Sequence, residues 1–356
     1  MRADTGNPDS NDAMRSIAAA PPQFTEGAMR AVLLDHYGLG GELQPLLSER
    51  DQNCLLVTPN DERFVLKIAN AAEDPVVTDF QVRALLHIEA RGCPIATPRI
   101  VPTQDREVSV KMSDGGTKHV ARVVTFIPGE TVAEQLLDEQ IAYAMGVALA
   151  EIHGALAGFA HAGDCQPLLW DMQRAPELRP LLQHVTDAGL RAAVSDCIDE
   201  FEAQSLPYLQ SSRRQVIHGD LNPGNVLLAG DNASIAGVID FGDMVRAPII
   251  ADLAIAASYL RWTDTDSLAL IASMIAGYDS VNRLAPDALD ALHGMIRTRL
   301  ATSITLLRWR LNARGDGDAY SEASAASEGD AAQFLDMLGA SGKQRFLERV
   351  LQAIDR

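Results

Sequence analysis

The spacing of apolar and polar positions in the first third of the chain is typical of short β-strands. Between residues 24 and 127, apolar runs of strand length alternate with polar turns. Strands are predicted at residues 55–59, 64–68, 100–101, 108–112 and 120–126. Helical periodicity predicts helices at residues 28–37 and 78–91, the second ending at Gly92. This part of the chain therefore predicts a small β-rich lobe with a helix in its middle.

Beyond the break at Pro128-Gly129 the spacing becomes helical. Helices are predicted at residues 131–137, 138–156, 175–188, 190–209, 249–259, 265–278, 286–311 and 331–354, and an exposed loop at residues 312–330. A short β-rich island at residues 216–241 interrupts these helices. The predicted fold class is α+β, with a small β-rich N-terminal lobe at residues 24–127 and a larger, mainly helical C-terminal lobe at residues 128–356, around a cleft.

Residues 1–23 differ from both predicted lobes in composition. They are rich in Asn, Asp, Ser, Ala and Pro, and Pro21-Pro22 closes the segment. We interpret this segment as a flexible extension. The alternative is a short docking or encapsulation helix with Met14 and Ile17 on one side.

The charge balance narrows the classes of function. The chain has 48 acidic and 30 basic residues and a formal net charge of −18, which disfavours binding to nucleic acid or to an anionic membrane surface. A cationic ligand suits this field, although solubility alone also explains it. The four cysteines lack metal-ligand or redox spacing, which indicates free thiols in a reducing compartment. A cytoplasmic location is therefore expected.

The β-rich island carries the residues with the most specific chemistry. An apolar fragment leads into His218-Gly219-Asp220, Asn225 follows a Pro-Gly turn, and a second apolar fragment leads into Asp240-Phe241-Gly242. Phosphoryl transfer needs a base for a hydroxyl group, and Mg²⁺ held by oxygen ligands. In this spacing Asp220 can accept the proton, while Asn225 and Asp240 offer oxygens to the metal. A hairpin whose polar residues cap turns explains any one of them, but explains their combined spacing poorly.

The island resembles the aminoglycoside phosphotransferase and choline kinase family, which has a protein-kinase-like fold. Its pattern of His-Gly-Asp, four residues, Asn, and then an Asp-Phe-Gly metal motif is intact here. The resemblance, over about residues 25–310, implies phosphoryl transfer to an alcohol group. It implies Asp220 as the catalytic base, Asn225 and Asp240 as Mg²⁺ ligands, and His218 and Asp252 as structural supports.

The predicted strand at residues 64–68 contains Lys67 among apolar residues, where a lysine is unfavourable without a partner. The resemblance places Lys67 on the phosphates of ATP or GTP. Gln81 stands where kinases carry the glutamate that pairs with this lysine, which is a departure from the family. The resemblance places further nucleotide contacts at Ser48 and Asn53, in a glycine-poor loop, and at the backbone of Thr125 and Ile127.

Several short strings resemble one branch of the family, the hydroxylysine kinase branch. They are Asp51-Gln52-Asn53, residues 65–70, Trp170-Asp171-Met172 and residues 240–244. This branch includes bacterial kinase domains associated with phospholyases that eliminate phosphate from phosphorylated amino alcohols. The resemblance implies a small amino alcohol as acceptor: 1-amino-2-propanol first, then ethanolamine or 5-hydroxylysine. It also implies a phospholyase as pathway partner, with a bacterial microcompartment as an alternative location.

An ammonium group prefers carboxylates and aromatic faces. The candidates for this contact are Asp243, Trp170, Asp171, Tyr259 and Trp262. Core packing or helix capping would explain each of them equally well. Two further hypotheses stay open: a kinase of the same family acting on an aminoglycoside, homoserine or choline, and an inactive nucleotide-binding scaffold, which Gln81 alone favours.

Overall fold

The computed structural model describes residues 19, 21–48, 50–134, 137–230, 234–261, 266–314 and 319–355. The chain divides into two compact units. The first comprises Met1–Gly92, Thr97–Ile127 and His161–Gln166, and the second comprises Cys93–Ala96, Pro128–Ala160 and Pro167–Arg356. The docking helix considered for the N-terminal extension lies outside the described residues.

The first unit is built on an antiparallel sheet. Its strands are β1 Glu42–Leu46, β2 Gln52–Val57, β3 Arg63–Ile68, β4 Ile100–Val101, β5 Val110–Asp114 and β6 Thr117–Thr125. The strand order is β1-β2-β3-β6-β4, and β5 pairs with the other part of β6. Strand β1 was not predicted, because its residues are mostly exposed and show no clear alternation.

One face of this sheet packs against the first helical segment. Helix α1 spans Glu26–Val32 and continues as a π-helical turn, Leu33–Tyr37, close to the helix predicted at residues 28–37. Leu33 packs with Leu66, Ile68 and Val123 in one buried cluster. Because strand side chains alternate between faces, Lys67 lies on the opposite face from its neighbours Leu66 and Ile68.

Helix α2, Pro75–Arg91, begins three residues before its predicted start and ends at its predicted last residue. The Asp74 side chain accepts a hydrogen bond from the Val76 N–H (2.9 Å), and Pro75 occupies the first turn, where no N–H is needed. Gly92 ends the helix in the left-handed conformation (φ 71°), so the predicted stop at this glycine is confirmed.

The second unit is mainly helical. Its helices are α3 Glu139–Ala155, α4 Ala188–Glu200, α5 Leu206–Ser211, α6 Ile249–Ala257, α7 Ser267–Val281, α8 Pro286–Arg314 and α9 Ala319–Ile354, which breaks at Gly342. A π-helical turn, Phe201–Ser205, joins α4 to α5. Its strands are β7 Glu130–Thr131, β8 Arg214–Ile217, β9 Val226–Leu228, β10 Ile235–Val238 and β11 Val245–Pro248. They form two small antiparallel sheets, β10-β9-β7 and β11-β8.

Three predictions for this unit are wrong. Instead of a helix from residue 131, β7 pairs with β9 and is followed by a short 3₁₀-helix, Val132–Glu134. The region predicted as a helix at residues 175–188 is largely a 3₁₀-helix, Met172–His184, with Pro176 and Pro180 inside it. Much of the loop predicted at residues 312–330 is helical, because this Ala- and Glu-containing stretch favours helix despite its glycines.

The predicted α+β fold class is confirmed: an antiparallel sheet dominates the first unit and helices dominate the second. Within the described residues, every helix is too short or too polar to cross a membrane.

Candidate active site

The loop between β8 and β9 holds the Asp220 carboxylate in one orientation. Asn222 Nδ2 and Asn225 Nδ2 donate to Asp220 Oδ2, at 2.9 and 3.2 Å. The Tyr259 hydroxyl donates to Asp220 Oδ1 at 3.1 Å. Since a carboxylate can accept about four hydrogen bonds, the group keeps room for a further donor such as a hydroxyl.

Gly219 allows this loop to approach the second motif closely. Its φ is +82°, and a Cβ atom there would lie 2.2 Å from the Asp243 carbonyl oxygen. A side chain at this position would therefore clash with backbone as well as strain the chain. The glycine of the His-Gly-Asp pattern thus brings the loop of Asp220 against the segment that contains Asp240 and Asp243.

Asp252 is fully buried in helix α6 and supports the loop between β8 and β9. Its two oxygens accept hydrogen bonds from the His218 N–H (2.8 Å) and the Gly219 N–H (2.9 Å). His153 Nε2 also binds Asp252 Oδ2 at 2.8 Å, and His153 Nδ1 binds the Tyr278 hydroxyl at 2.9 Å. Despite the opposing effect of burial, these contacts lower the pKa of Asp252, because they stabilise its charged form.

His218 is fully buried and occupies a position that suits a neutral ring. Its Nε2 contacts the Ile239 carbonyl oxygen at 3.1 Å, and its Nδ1 accepts from the Asp220 N–H at 3.3 Å. A carbonyl can only accept, so Nε2 carries the proton. Burial lowers the pKa of His218, in agreement with the neutral tautomer.

Asn225 and Asp240 have a donor chemistry that suits a magnesium ion. The Asn225 Nδ2 group is used by the Asp220 carbonyl (2.9 Å) and carboxylate, which leaves its amide oxygen as the atom for a cation. Asp240 adopts a left-handed backbone (φ 60°), a strained conformation that is common at functional sites. Among the described residues no cluster of three or more His, Cys, Asp or Glu side chains could hold a metal. Mg²⁺ fits this arrangement, because it usually takes one or two protein ligands and completes its shell with phosphate and water.

Negative charge accumulates around Asp220. Burial, followed by the nearby carboxylate of Asp243 and that of Asp240, raises the pKa of Asp220 to about 7, against the opposing effect of Arg299 and the Asn222 hydrogen bond. A carboxyl group with a pKa near the working pH suits general base catalysis. The concentration of carboxylates also creates an environment that favours cations.

In the first unit, three polar side chains form a row across the sheet. Lys67 on β3 lies opposite Asn53 on β2 and opposite Arg122 on β6. Directly opposite residues in antiparallel strands point to the same face, with Cβ atoms about 5 Å apart. Two cationic side chains and an amide therefore share one face of the sheet.

Gln81 on helix α2 contacts this row through Arg122. The buried Arg122 donates from Nη2 to Gln81 Oε1 at 2.5 Å. Glu73, in the turn before α2, is a carboxylate near the same arginine: burial and Asp51 raise the pKa of Glu73, and Arg122 opposes them. Gln81 thus contacts an arginine that the sequence analysis did not single out.

The other predicted nucleotide contacts lie at the edges of the same unit. Ser48 follows β1 and is partly buried. The Thr125 N–H donates to the Arg99 carbonyl (2.9 Å), and the Phe126 N–H donates to the Arg63 carbonyl (3.2 Å). Both N–H groups are therefore used by neighbouring protein carbonyls.

A small cavity beside Gly219 brings several of the predicted substrate contacts together. Trp170, Asp171 and Asp243 line it, together with apolar residues such as Ile217 and Ile255. Its volume of about 10 Å³ gives room for the centre of one water molecule. Asp171 also caps the 3₁₀-helix, since its side chain accepts from the Gln173 N–H at 3.0 Å. Burial raises the pKa of Asp171.

The two remaining candidates for the substrate contact are Tyr259 and Trp262, and Tyr259 is not among the described residues that line this cavity. Tyr259 contacts Asp220 and Arg299 directly, and Trp262 lies outside the described residues. Sequence reasoning missed Arg122, Arg299 and Asn222. Only Asn222 had a local signal, its place within the motif loop, because the partners of the two arginines are distant in sequence.

Comparison with known proteins supplies the family. The model of the phosphotransferase enzyme family matches residues 42–294, which include the whole of both motifs and Lys67. The chain belongs to this family. The resemblance expected from the motifs is thus confirmed, and the chain is a phosphotransferase with a kinase-like fold.

Individual relatives agree with this assignment. Hydroxylysine kinase of Mus musculus is 26% identical over 317 residues, covering 82% of this chain and 84% of the relative. The structure of a microcompartment-associated aminopropanol kinase has a TM-score of 0.70 at 17% identity and covers 90% of this chain and 100% of that one. Amicoumacin kinase in complex with AMP-PNP and Ca²⁺ has a TM-score of 0.66 at 16% identity, covering 88% and 93%. At these identities the two structures support the fold.

Proposed function

We propose that this phosphotransferase transfers the γ-phosphoryl group of ATP or GTP to the hydroxyl of a small amino alcohol. 1-Amino-2-propanol is the favoured acceptor, followed by ethanolamine and 5-hydroxylysine. The observation that carries the proposal is the Asp220 carboxylate, held by three donors and surrounded by further carboxylates.

In this proposal Asp220 is the catalytic base. The acceptor hydroxyl donates a hydrogen bond to the Asp220 carboxylate, which orients the oxygen toward the γ-phosphorus. As the new O–P bond forms and the bond to the β-phosphate oxygen breaks, the hydroxyl proton passes to Asp220. The raised pKa of Asp220 makes this carboxylate a better proton acceptor than an ordinary exposed aspartate.

Asn225 and Asp240 would hold Mg²⁺, and Lys67 would contact the phosphates of the nucleotide. The metal, when bound, neutralises charge on the phosphates. Ser48, Asn53, Gln81, Thr125 and Ile127 remain proposed nucleotide contacts. The row formed by Asn53, Lys67 and Arg122 supports this part of the proposal, because it supplies cations and an amide on one sheet face.

The chemistry of the side chains around the small cavity supports a cationic acceptor. The cavity wall combines carboxylates with the apolar surface of Trp170 and Ile217, which suits an ammonium group next to a short carbon chain. We assign the ammonium contact first to Asp243, because its carboxylate lies near enough to Asp220 to raise the pKa of that group and also lines the cavity.

The proposed product, a phosphorylated amino alcohol, carries a good leaving group next to an amine. This chemistry suits a phospholyase as the next enzyme. The family resemblance supports that partner and a cytoplasmic or microcompartment location.

The test measures Mg·ATP and Mg·GTP consumption with both enantiomers of 1-amino-2-propanol, ethanolamine, 5-hydroxylysine, choline, homoserine and kanamycin. We expect turnover confined to the small vicinal amino alcohols. Asp220→Ala should lose nearly all turnover and still bind nucleotide, whereas Asp196→Ala, an exposed aspartate of the same unit, should behave like the parent protein. Turnover on kanamycin, choline or homoserine would show that the proposed acceptor is wrong and the proposed reaction is right. Nucleotide binding without turnover would favour the scaffold hypothesis.

Asp243→Asn tests the ammonium contact. It should raise KM for 1-amino-2-propanol by about tenfold, the effect of losing about 1.4 kcal/mol of binding, and leave KM for neutral 1,2-propanediol nearly unchanged. An equal change for both acceptors would exclude Asp243 as the ammonium partner.

A further inference from the structure

Helix α8 carries a buried arginine into the group of residues around Asp220. Arg299 is 4% exposed. Its Nη2 donates to the Tyr259 hydroxyl at 3.2 Å, and its Nη1 donates to the Trp170 carbonyl oxygen at 2.8 Å. A buried guanidinium is unfavourable unless it is hydrogen-bonded and compensated by negative charge.

The direction of the hydrogen bonds from Arg299 to Asp220 is fixed by chemistry. Arginine can only donate, so the Tyr259 oxygen must accept from Arg299. The single Tyr259 proton then points to Asp220 Oδ1, 3.1 Å away. The sequence Arg299–Tyr259–Asp220 is thus a directed chain that ends on one oxygen of the carboxylate.

Charge around the arginine supports the same arrangement. Burial alone would lower the pKa of Arg299, but Tyr259, Asp220 and Asp243 raise it instead. The compensating charge for this buried cation therefore comes from the carboxylates of the proposed active site. Arg299 also reaches Trp170, a residue that lines the small cavity.

We propose that Tyr259 and Arg299 are positioning residues that hold the Asp220 carboxylate in its productive orientation and connect it to Trp170 in the wall of the small cavity. Tyr259 acts by its hydroxyl proton, and Arg299 acts through Tyr259 and through the Trp170 carbonyl. The role in turnover rests on the proposed kinase function. The alternative for both residues is core packing with no effect on Asp220.

Kinetics separate these two roles. Tyr259→Phe keeps the ring and removes the hydroxyl, so we expect kcat to fall by about 10- to 100-fold with KM for the nucleotide unchanged, because small misplacements of a reacting group reduce rate rather than nucleotide binding. In Arg299→Met, kcat should fall by at least as much. Arg299→Lys should keep part of the kcat that Arg299→Met loses. A Tyr259→Phe protein with parental kcat would overturn the proposal.

Two variants provide matched controls. Tyr143→Phe removes a hydroxyl from helix α3, where Tyr143 is 42% exposed. Arg297→Met removes a largely buried arginine from the same helix α8, where Arg297 pairs with Glu200. Both should keep the parental kcat. Loss of kcat in Arg297→Met equal to that in Arg299→Met would assign the effect to damage of helix α8 and overturn the proposal.

Thermal unfolding tests the contact without any acceptor. Arg299→Met should lower Tm in the parent protein by more than it does in an Asp220→Asn background, since one of the carboxylates that compensate the guanidinium is then absent while Asp243 remains. Arg297→Met should lower Tm equally in both backgrounds. If no acceptor is turned over but this coupling is found, the proposed function fails and the positioning geometry stands. Additive losses for Arg299→Met and Asp220→Asn would overturn the geometry itself.

Discussion

At the scale of single residues, one buried carboxylate supports the loop that carries Asp220. Asp252 accepts hydrogen bonds from two consecutive backbone N–H groups and from His153. The resemblance implied that Asp252 is a structural support. Its contacts are those of loop support, because its bonds go to His218 and Gly219 of the loop.

Replacing this carboxylate should be strongly destabilising. Asp252→Asn substitutes an NH₂ group for an oxygen that faces N–H donors, and we expect a loss of about 2–4 kcal/mol in the free energy of unfolding at pH 7. Urea unfolding measures this loss. Asp196→Asn, at an exposed position, is the control and should change stability by less than about 0.5 kcal/mol.

The same substitution has a defined pH dependence. The pKa of Asp252 is lowered in the folded protein, so its stabilisation is present above its unfolded value of 3.8 and is lost as pH falls through the folded pKa. The difference between the parent protein and Asp252→Asn should therefore be complete at neutral pH and narrow under more acidic conditions. A difference that stays constant below the unfolded pKa would contradict this account.

The sequence predicted a common site only for residues that lie near one another along the chain. Asp220 and Asn225 share a short loop, so their spacing alone predicted a common site. Arg299 lies on a helix far along the chain, and nothing in the neighbouring sequence distinguishes it from a surface arginine. Its burial beside Tyr259 depends on tertiary packing that one sequence does not reveal.

At the scale of elements, helices α3 and α7 approach each other through glycines. A Cβ at Gly146 would lie 2.0 Å from the Met274 carbonyl oxygen, and one at Gly277 would lie 2.0 Å from the Tyr143 carbonyl oxygen. The contact is reciprocal, with a glycine on each helix facing backbone of the other. These helices also carry His153 and Tyr278, which hydrogen-bond to one another, so the crossing positions the residue that supports Asp252.

A side chain at either of these two glycines should push helices α3 and α7 apart. Gly146→Ala and Gly277→Ala should each lower the free energy of unfolding by about 2 kcal/mol or more, because each methyl group meets backbone that cannot rotate away. Gly154→Ala on helix α3 is the control, since a Cβ there has no atom within 4 Å. This control should be neutral or more stable by up to about 1 kcal/mol, in agreement with helix propensity. Equal effects at Gly146 and Gly154 would show that the crossing is not close-packed in solution.

Strong local signals decided which elements the sequence could predict. Helix α2 has a proline in its first turn and a glycine at its end, and its bounds were nearly correct. Strand β7 has only two residues and exists because β9 provides a partner. Its β-branched neighbours were therefore mistaken for part of a helix, since pairing between distant segments overrides local preference.

At the scale of the whole molecule, the net charge of −18 should influence a cationic acceptor and a neutral acceptor differently. A protein with an excess of carboxylates attracts cations and raises their rate of encounter, an effect that salt screens. The proposed amino alcohol is a cation at neutral pH, whereas 1,2-propanediol has nearly the same shape and no charge. The diol is therefore a control on the side of the ligand.

This difference gives a prediction that does not depend on any substitution. Raising KCl from about 20 mM to about 500 mM shortens the Debye length from roughly 20 Å to roughly 4 Å, so kcat/KM for 1-amino-2-propanol should fall by about three- to tenfold. The value for 1,2-propanediol, measured at the same saturating nucleotide concentration, should change by less than about twofold, because a neutral acceptor has no net charge for the field to attract. Equal falls for both acceptors would assign the salt effect to the nucleotide or to the protein itself. A fall restricted to the cation would show that electrostatic attraction to the acidic protein speeds the encounter with the acceptor.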